Sequence, residues 1–379
     1  MYKIFLLICI AGFFAILSST MSKSPTLPLY AHSLGIPISE IGFIAASSTI
    51  IGIFTNIVAG RLSDIYGRKK LLLLSGFFFT SAPILYFFAG NGFLLAIVRA
   101  YHGLATAIFT PVSFALIADI YKKDRGVKMG LFSSSTLYSR LIAPSLAGYL
   151  ITFNGFHAVF ITCSLSGLIA LLLFIKTPRI EEDRRRINKS FGKGFRKVFS
   201  LPLLLMLAII NASIYFGLQG IETFLPLLAK DIGIDPFITG IIFTVEMGVI
   251  AFLKPFMGIF SDKLGRDKPI IFGLVLSSLG ILPMFFINNI YIIFLSIIVF
   301  AIGVSAVTAS LTPLASELVE KEYYGVTIGA LETIKDIGQA MGPIILGITI
   351  STIGYKISFL TISTILLATL ILFKTCGKY

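Results

Sequence analysis

Nine charged side chains lie well inside long apolar runs of this sequence, away from their ends: Lys23, Arg99, Arg140, Glu222, Glu246, Lys254, Glu332, Lys335 and Asp336. A charge at the centre of a bilayer costs at least about 2.5 kcal/mol and persists where it faces a polar cavity or an opposite charge. Five cations and four acids in such places imply a polar chamber with a slight cationic excess. Glu332, Lys335 and Asp336 stand at i, i+3 and i+4, close enough on one helix face to satisfy one another. Glu246, Ile250 and Lys254 share a face of another helix, which therefore points inward. The acids Glu222, Glu246 and Asp336 are candidates to carry protons. For each charge the alternative is a buried ion pair that only fixes helix packing.

A second arrangement occurs twice. Residues 60–70 read G-R-L-S-D-I-Y-G-R-K-K and residues 258–268 read G-I-F-S-D-K-L-G-R-D-K. Each copy puts an acid, two glycines and several cations into a short bridge between two apolar runs, which is the pattern of a tight loop at one membrane face. The glycines let helix ends approach, and the acid can pair with an arginine or accept from a helix N-terminus. Such a loop can lock two helices together and release them. A single copy would equally suit an ordinary basic loop; two in register favour the lock.

The elements that position these residues are membrane spans. The 379 residues are 56% hydrophobic and 13% charged, with 35 Phe and no Trp, far too apolar for a soluble domain. An excess of 31 Lys and Arg over 18 Asp and Glu would suggest nucleic acid in a soluble chain, but in a polytopic membrane protein its location matters more than its sum. The partner is the lipid bilayer, with no nucleic acid. Apolar runs fall at about 4–34, 38–59, 71–89, 92–118, 127–152 and 157–175, then 201–230, 237–257, 269–287, 290–317, 326–351 and 356–373. The domains are thus a six-helix bundle over 1–178, a basic linker over 179–200 carrying Arg184, Arg185 and Arg186, and a second bundle over 201–379. With the N-terminus inside, 24 of the 31 cations are cytoplasmic, two (Lys230 and Lys356) are external and five lie within spans. That asymmetry places both termini, the linker and both loops on the cytoplasmic side of the plasma membrane. Cys9, Cys163 and Cys376 have no metal-ligand spacing. A secretory leader over the first apolar run is rejected because that run has a partner downstream.

The partner is a repeat. Leu27, Pro28, Ala31, Gly35, Gly42, Gly60, Ser63, Asp64, Gly67 and Arg68 return 198 residues later as Leu225, Pro226, Ala229, Gly233, Gly240, Gly258, Ser261, Asp262, Gly265 and Arg266. After one residue of slippage Gly130, Pro144, Gly148 and Gly155 return as Gly329, Pro343, Gly347 and Gly354. The fold class is therefore all-α, with twelve transmembrane helices in two pseudo-symmetric halves.

On these residues the chain resembles the major facilitator superfamily, and within it the drug/proton antiporters. The family loop pattern G-x-L-a-D-r-x-G-R-[KR]-x is met by Gly60, Leu62, Asp64, Gly67, Arg68 and Lys69, and by Gly258, Asp262, Gly265 and Arg266 with Phe260 and Asp267 as departures. The resemblance implies a conformational gate at these positions. Its Asp caps a neighbouring helix and pairs with cations, and Asp119 matches an acidic position that joins the network. The antiporter pattern G-x8-G-x3-G-P-x2-G-G is met with small-residue substitutions by Gly130, Ser139, Ala143, Pro144, Ala147 and Gly148; Gly338, Gly342 and Pro343 follow it in the second half. These residues offer a small face for helix packing and a bend. Arg99-Ala100-Tyr101-His102-Gly103 resembles a family R-x-x-Q-G, in which the Arg is linked to proton movement. His102 replaces the Gln and reads as a hydrogen-bonded structural residue.

The expectation is a monomeric secondary active transporter that exports a small organic molecule or drug in exchange for protons by alternating access. The alternative is a proton symporter importing an organic anion or metabolite, suggested by Lys23, Arg99, Arg140 and Lys335. An integral-membrane enzyme or sensor ranks below both. The sequence has no G-x-x-x-x-G-K-[ST] phosphate loop, no H-E-x-x-H and only three histidines, so no cofactor, metal or catalytic residue is expected.

Overall fold

The computed structural model describes residues 2–177, 196, 198–286, 289–320 and 323–376. The linker read over 179–200, with its arginine triplet, lies outside the described residues except at 196 and 198–200. Among the described residues every regular element is helical. This follows from the solvent, since in hydrocarbon a helix alone satisfies its backbone within one segment. The helices are α1 (Tyr2–Met21), α2 (Thr26–Ser33), α3 (Ile38–Tyr66), α4 (Arg68–Leu85), α5 (Gly92–Ile120), α6 (Arg125–Lys176), α7 (Pro202–Asp231), α8 (Pro236–Leu264), α9 (Asp267–Ile281), α10 (Ile290–Glu317) and α11 (Tyr324–Cys376).

Among the described residues ten stretches are long and apolar enough to cross a membrane. Two of them, in α6 and α11, run for 52 residues. A straight helix of that length would measure about 78 Å, over twice the hydrocarbon thickness of about 30 Å. Each instead breaks at a glycine in the left-handed region, Gly155 (φ 79°) and Gly354 (φ 78°). Each therefore supplies two spans, which brings the count to twelve.

The duplication is written into the backbone. All positive-φ residues among those described are glycines, and they form three repeat pairs: Gly35 with Gly233, Gly67 with Gly265, and Gly155 with Gly354. The φ values agree closely, 73° and 79°, 98° and 93°, 79° and 78°. Asn91 caps α5 by accepting from the Leu94 amide, and Asn289, 198 residues later, caps α10 by accepting from Ile292.

One span differs from its sequence reading. The run at 4–34 is not a single helix but α1 and α2 separated by residues 22–25. Pro25 has no amide hydrogen to continue the ladder. Thr26 Oγ1 donates to the Met21 carbonyl at 2.6 Å, and the Lys23 and Ser24 amides both reach Thr20 O at 3.1 Å. The position that repeats Pro25 is Thr223, inside a continuous α7, where the hydroxyl simply donates back to Gln219 O.

The chain forms two compact units, one of residues 1–187 with 225–244 and one of residues 188–224 with 245–379. In the first, α1 runs along α6, α3 along α5, and α4 between α5 and α6. Its core is aromatic, with Phe109 meeting Phe79, Phe132 and Phe174 at ring distances of 5.8–6.0 Å. In the second, α9 packs on α10 and α11. Lipid is as apolar as leucine, so close packing rather than water exclusion holds such helices together. Accordingly Gly167 lets α6 approach the Phe79 carbonyl of α4, and Gly273 lets α9 approach the Gly303 carbonyl of α10. Bulky apolar groups such as Phe54, Phe93 and Phe252 are exposed, as a lipid-facing surface requires.

Candidate functional site

The first repeated loop is organised by Arg68. Gly67, with φ 98° and ψ 139°, ends α3 and starts α4 within one residue, which only glycine does without strain. The turn brings Arg68 back over the last turn of α3. Its Nη2 pairs with Asp64 Oδ1 at 2.5 Å, its Nε with Asp119 Oδ2 on α5 at 3.1 Å, and its Nη1 donates to Ser63 Oγ. One guanidinium thus ties three helices. Lys69 Nζ donates to the last carbonyls of α6, Ile175 O at 2.7 Å and Thr177 O at 2.5 Å, where a cation also complements the helix dipole.

The second loop repeats this with changes. Gly265 (φ 93°) makes the turn, Arg266 Nε pairs with Glu317 Oε1 on α10 at 2.9 Å, Nη1 pairs with Asp262, and the same nitrogen donates to Ser261 Oγ at 3.3 Å. The Glu317 hydrogen bond, then Asp262, raise the Arg266 pKa above the usual arginine value, so it stays charged at every physiological pH. Asp267 replaces the second cation and sits in the first turn of α9, where an acid suits the helix dipole but cannot bind carbonyls. Gly60 and Gly258 lie within helices in open space, so no close approach explains them. The second network is also wetter: the Asp262 and Glu317 side chains are 65% and 52% exposed, against 41% and 23% for Asp64 and Asp119.

A charged stripe runs along α11. Glu332, Lys335, Asp336, Gln339 and Pro343 share one face, and the exposed Ile337, Met341 and Ile348 take the other. Lys335 Nζ lies 2.5 Å from Glu332 Oε2, 3.3 Å from Asp336 Oδ1, and 5.0 Å from the ring centroid of Tyr215 on α7. One turn further, Gln339 Nε2 donates to Gln219 Oε1 of α7 at 3.2 Å. Lys254 of α8 lies near enough to interact electrostatically with both Glu332 and Lys335. Two carboxylates and the Lys335 ammonium therefore gather beside one phenol ring, with the Lys254 ammonium within electrostatic reach. Glu246 is 2% exposed in α8, and Glu222 is half-buried in α7.

In the first unit, Lys23 sits at the break between α1 and α2, and Arg140 is exposed on α6. Arg99 is 4% exposed, with Tyr86, His102 and Cys163 near it. His102 Nδ1 lies 3.3 Å from Ser22 Oγ and 3.5 Å from Tyr86 Oη, and the ring is buried.

The small face of α6 makes close contacts on two sides. Ala143 and Ala147 pack against Leu17 and Met21 of α1, and Ser139 is buried. A Cβ on Gly148 would overlap the Pro236 carbonyl, and one on Gly240 would overlap the Pro144 carbonyl, so α6 and the start of α8 cross backbone to backbone. Pro144 has no amide hydrogen to bond back along its helix, and in the turn before it Leu141 O accepts from Thr244 Oγ1 at 2.9 Å. On α11, Gly338 and Gly342 give the same closeness to the Ala212 and Phe216 carbonyls of α7, with Pro343 adjoining.

Three residues and one contact escape the sequence reading. Glu317 is open to it, because Asp119 plus the repeat shift of 198 lands there. Tyr215 and Gln219 lie at i and i+4 before Glu222 in an apolar run, a polar stripe visible only to a search that includes uncharged groups. The contact of Lys69 with the end of α6 has no local signal.

A family model described as Major Facilitator Superfamily matches residues 8–228 and 207–376. The multi-drug resistance efflux pump PmrA homolog of Lactococcus lactis is 27% identical over 95% of this chain and 91% of its own length. The multidrug resistance protein MdtG of Proteus mirabilis is 29% identical over 88% of this chain and 86% of its own. Among solved structures, the nucleoside transporter NupG superposes with a TM-score of 0.82 at 13% identity, covering 99% of this chain and 99% of its own.

Proposed function

Because this chain belongs to the Major Facilitator Superfamily, an integral membrane transporter family, we propose that it exports a small organic molecule or drug across the plasma membrane in exchange for protons. The observation that carries the reading is the Glu332, Lys335, Asp336 and Lys254 group. Its four charges balance. A proton on a carboxylate and a cationic substrate each add an unbalanced positive charge to such a group, so the presence of one disfavours the other. Mutual exclusion of proton and substrate at one place is the physical requirement for exchange. Multidrug efflux names among the relatives support the same direction.

In this reading the two repeated loops act on the population of states rather than on substrate. Breaking the Arg68 network changes the balance between access to one side and the other without removing a ligand contact. Both loops, the linker and both termini face the cytoplasm, on the cation asymmetry of the sequence. The protein acts as a monomer.

The test is transport in proteoliposomes. Substrate flux should follow the sign of an imposed pH gradient, and Asp336→Asn together with Glu332→Gln should abolish the response. Flux indifferent to the gradient would overturn the coupling. A second reading, import of an organic anion by symport, draws on the first half, whose deeply placed in-span charges are the three cations Lys23, Arg99 and Arg140, its acid Glu40 lying in the first turn of a span. It predicts inward anion accumulation under the same gradient.

A further inference from the structure

We propose that Glu332, Asp336 and the ring of Tyr215 form a receptor for the charged head of a lipophilic organic cation, and that Lys335 is a tethered competitor occupying it. The inference rests on the transport reading and names its substrate class.

The Lys335 ammonium sits between two carboxylates, at 2.5 and 3.3 Å, with the Tyr215 ring 5.0 Å away. Carboxylates supply charge and an aromatic face supplies a quadrupole, which together recognise ammonium and quaternary cations. The ordinary explanation, an ion pair that glues helices, does not suit this group. Glu332, Lys335 and Asp336 all belong to α11, so their ion pairs join no two helices. What reaches other helices is the ring contact to α7 and the longer-range attraction of Lys254 on α8, neither of them a short ion pair. Nor is the group sealed: Glu332 is half exposed, and Asp336 is 20% exposed against 16% for the ammonium side chain between them. Glu332 thus remains open to an incoming group, while Asp336 and the present occupant are both largely covered.

Lysine is suited to leave. Its charge ends a flexible four-carbon stem, so the ammonium can withdraw without moving the helix. Beyond Gln219 and Gln339, linked to each other at 3.2 Å, most neighbouring positions on α7 and α11 are apolar. A ligand whose positive head enters here must therefore be greasy elsewhere.

The experiment is equilibrium binding to the purified full-length protein at one fixed pH, with tetraphenylphosphonium and its same-shaped anion tetraphenylborate as probes. A competitor that fills the receptor most of the time lowers apparent affinity in proportion, so Lys335→Gln and Lys335→Met should bind tetraphenylphosphonium about tenfold more tightly than wild type. Adding Tyr215→Leu to either should cost about threefold to tenfold, the range of a cation–π contact. Glu332→Gln with Asp336→Asn should lose the cation altogether. Unchanged or weaker binding in both Lys335 variants, with melting curves like wild type, would overturn the proposal, as would preference for tetraphenylborate. No gradient is involved, so failure of proton coupling would leave this result standing, and the reverse also holds.

Discussion

The two loop networks share a design but not a strength, and a pair of double-mutant cycles should show it. The first cycle uses Arg68→Gln, Asp119→Asn and both; the second uses Arg266→Gln, Glu317→Gln and both. Arg68 is 13% exposed and Asp119 23%, whereas Arg266 is 22% exposed and Glu317 52%. Exposed pairs contribute about 0.2–1 kcal/mol, and partly buried, charge-assisted ones about twice as much. The coupling energy should then be about 1.5 kcal/mol at Arg68 and about 0.5 kcal/mol at Arg266, roughly twelvefold against twofold in an equilibrium constant. Reversible unfolding in mixed micelles, titrated with a denaturing detergent, measures both. Raising the salt to 1 M shortens the Debye length to about 3 Å and should remove most of the second coupling while sparing much of the first. Equal couplings, or a larger one at Arg266, would refute the argument from burial.

The contacts at helix crossings and ends carry further consequences. Gly167→Val places side-chain atoms against the Phe79 carbonyl and should lower stability by about 3 kcal/mol in the same unfolding assay, whereas Gly126→Val, in open space, should show no overpacking cost. Lys69→Gln removes two bonds to the end of α6 and should cost about 1 kcal/mol; Asp267→Asn, in the first turn of α9, should stay within about 0.5 kcal/mol. Asn91→Ala and Asn289→Ala each remove a helix cap and should each cost about 1 kcal/mol, additively, as the matching geometry of the two caps requires.

Why some features are legible in the sequence and others are not has a physical cause. The duplication can be read because it is marked by glycines at positive φ, such as Gly67 and Gly265, where any side chain is strained and the residue cannot drift. The ion-pair stripe can be read because charges in apolar runs are costly and therefore conspicuous. The break in the first span is hidden because hydropathy sees only that 4–34 is apolar. Pro25 has no counterpart in the repeat, where Thr223 keeps its helix intact. Tyr215 and Gln219 are hidden for the opposite reason to Lys335: uncharged polar groups cost little in a span and leave a faint trace. That α6 and α11 each contain two spans is clear from length alone, and the structure adds the place of each turn, Gly155 and Gly354.

Proton and cationic substrate excluding each other at the α11 carboxylates can be tested without any membrane. Tetraphenylphosphonium added to the purified protein in a lightly buffered solution, with a pH indicator present, should release protons in proportion to the cation bound, and the Glu332→Gln, Asp336→Asn variant should release none. Saturable binding with no proton release at any pH between about 6 and 8, the range around neutrality in which an exchanger must work, would contradict the exchange mechanism.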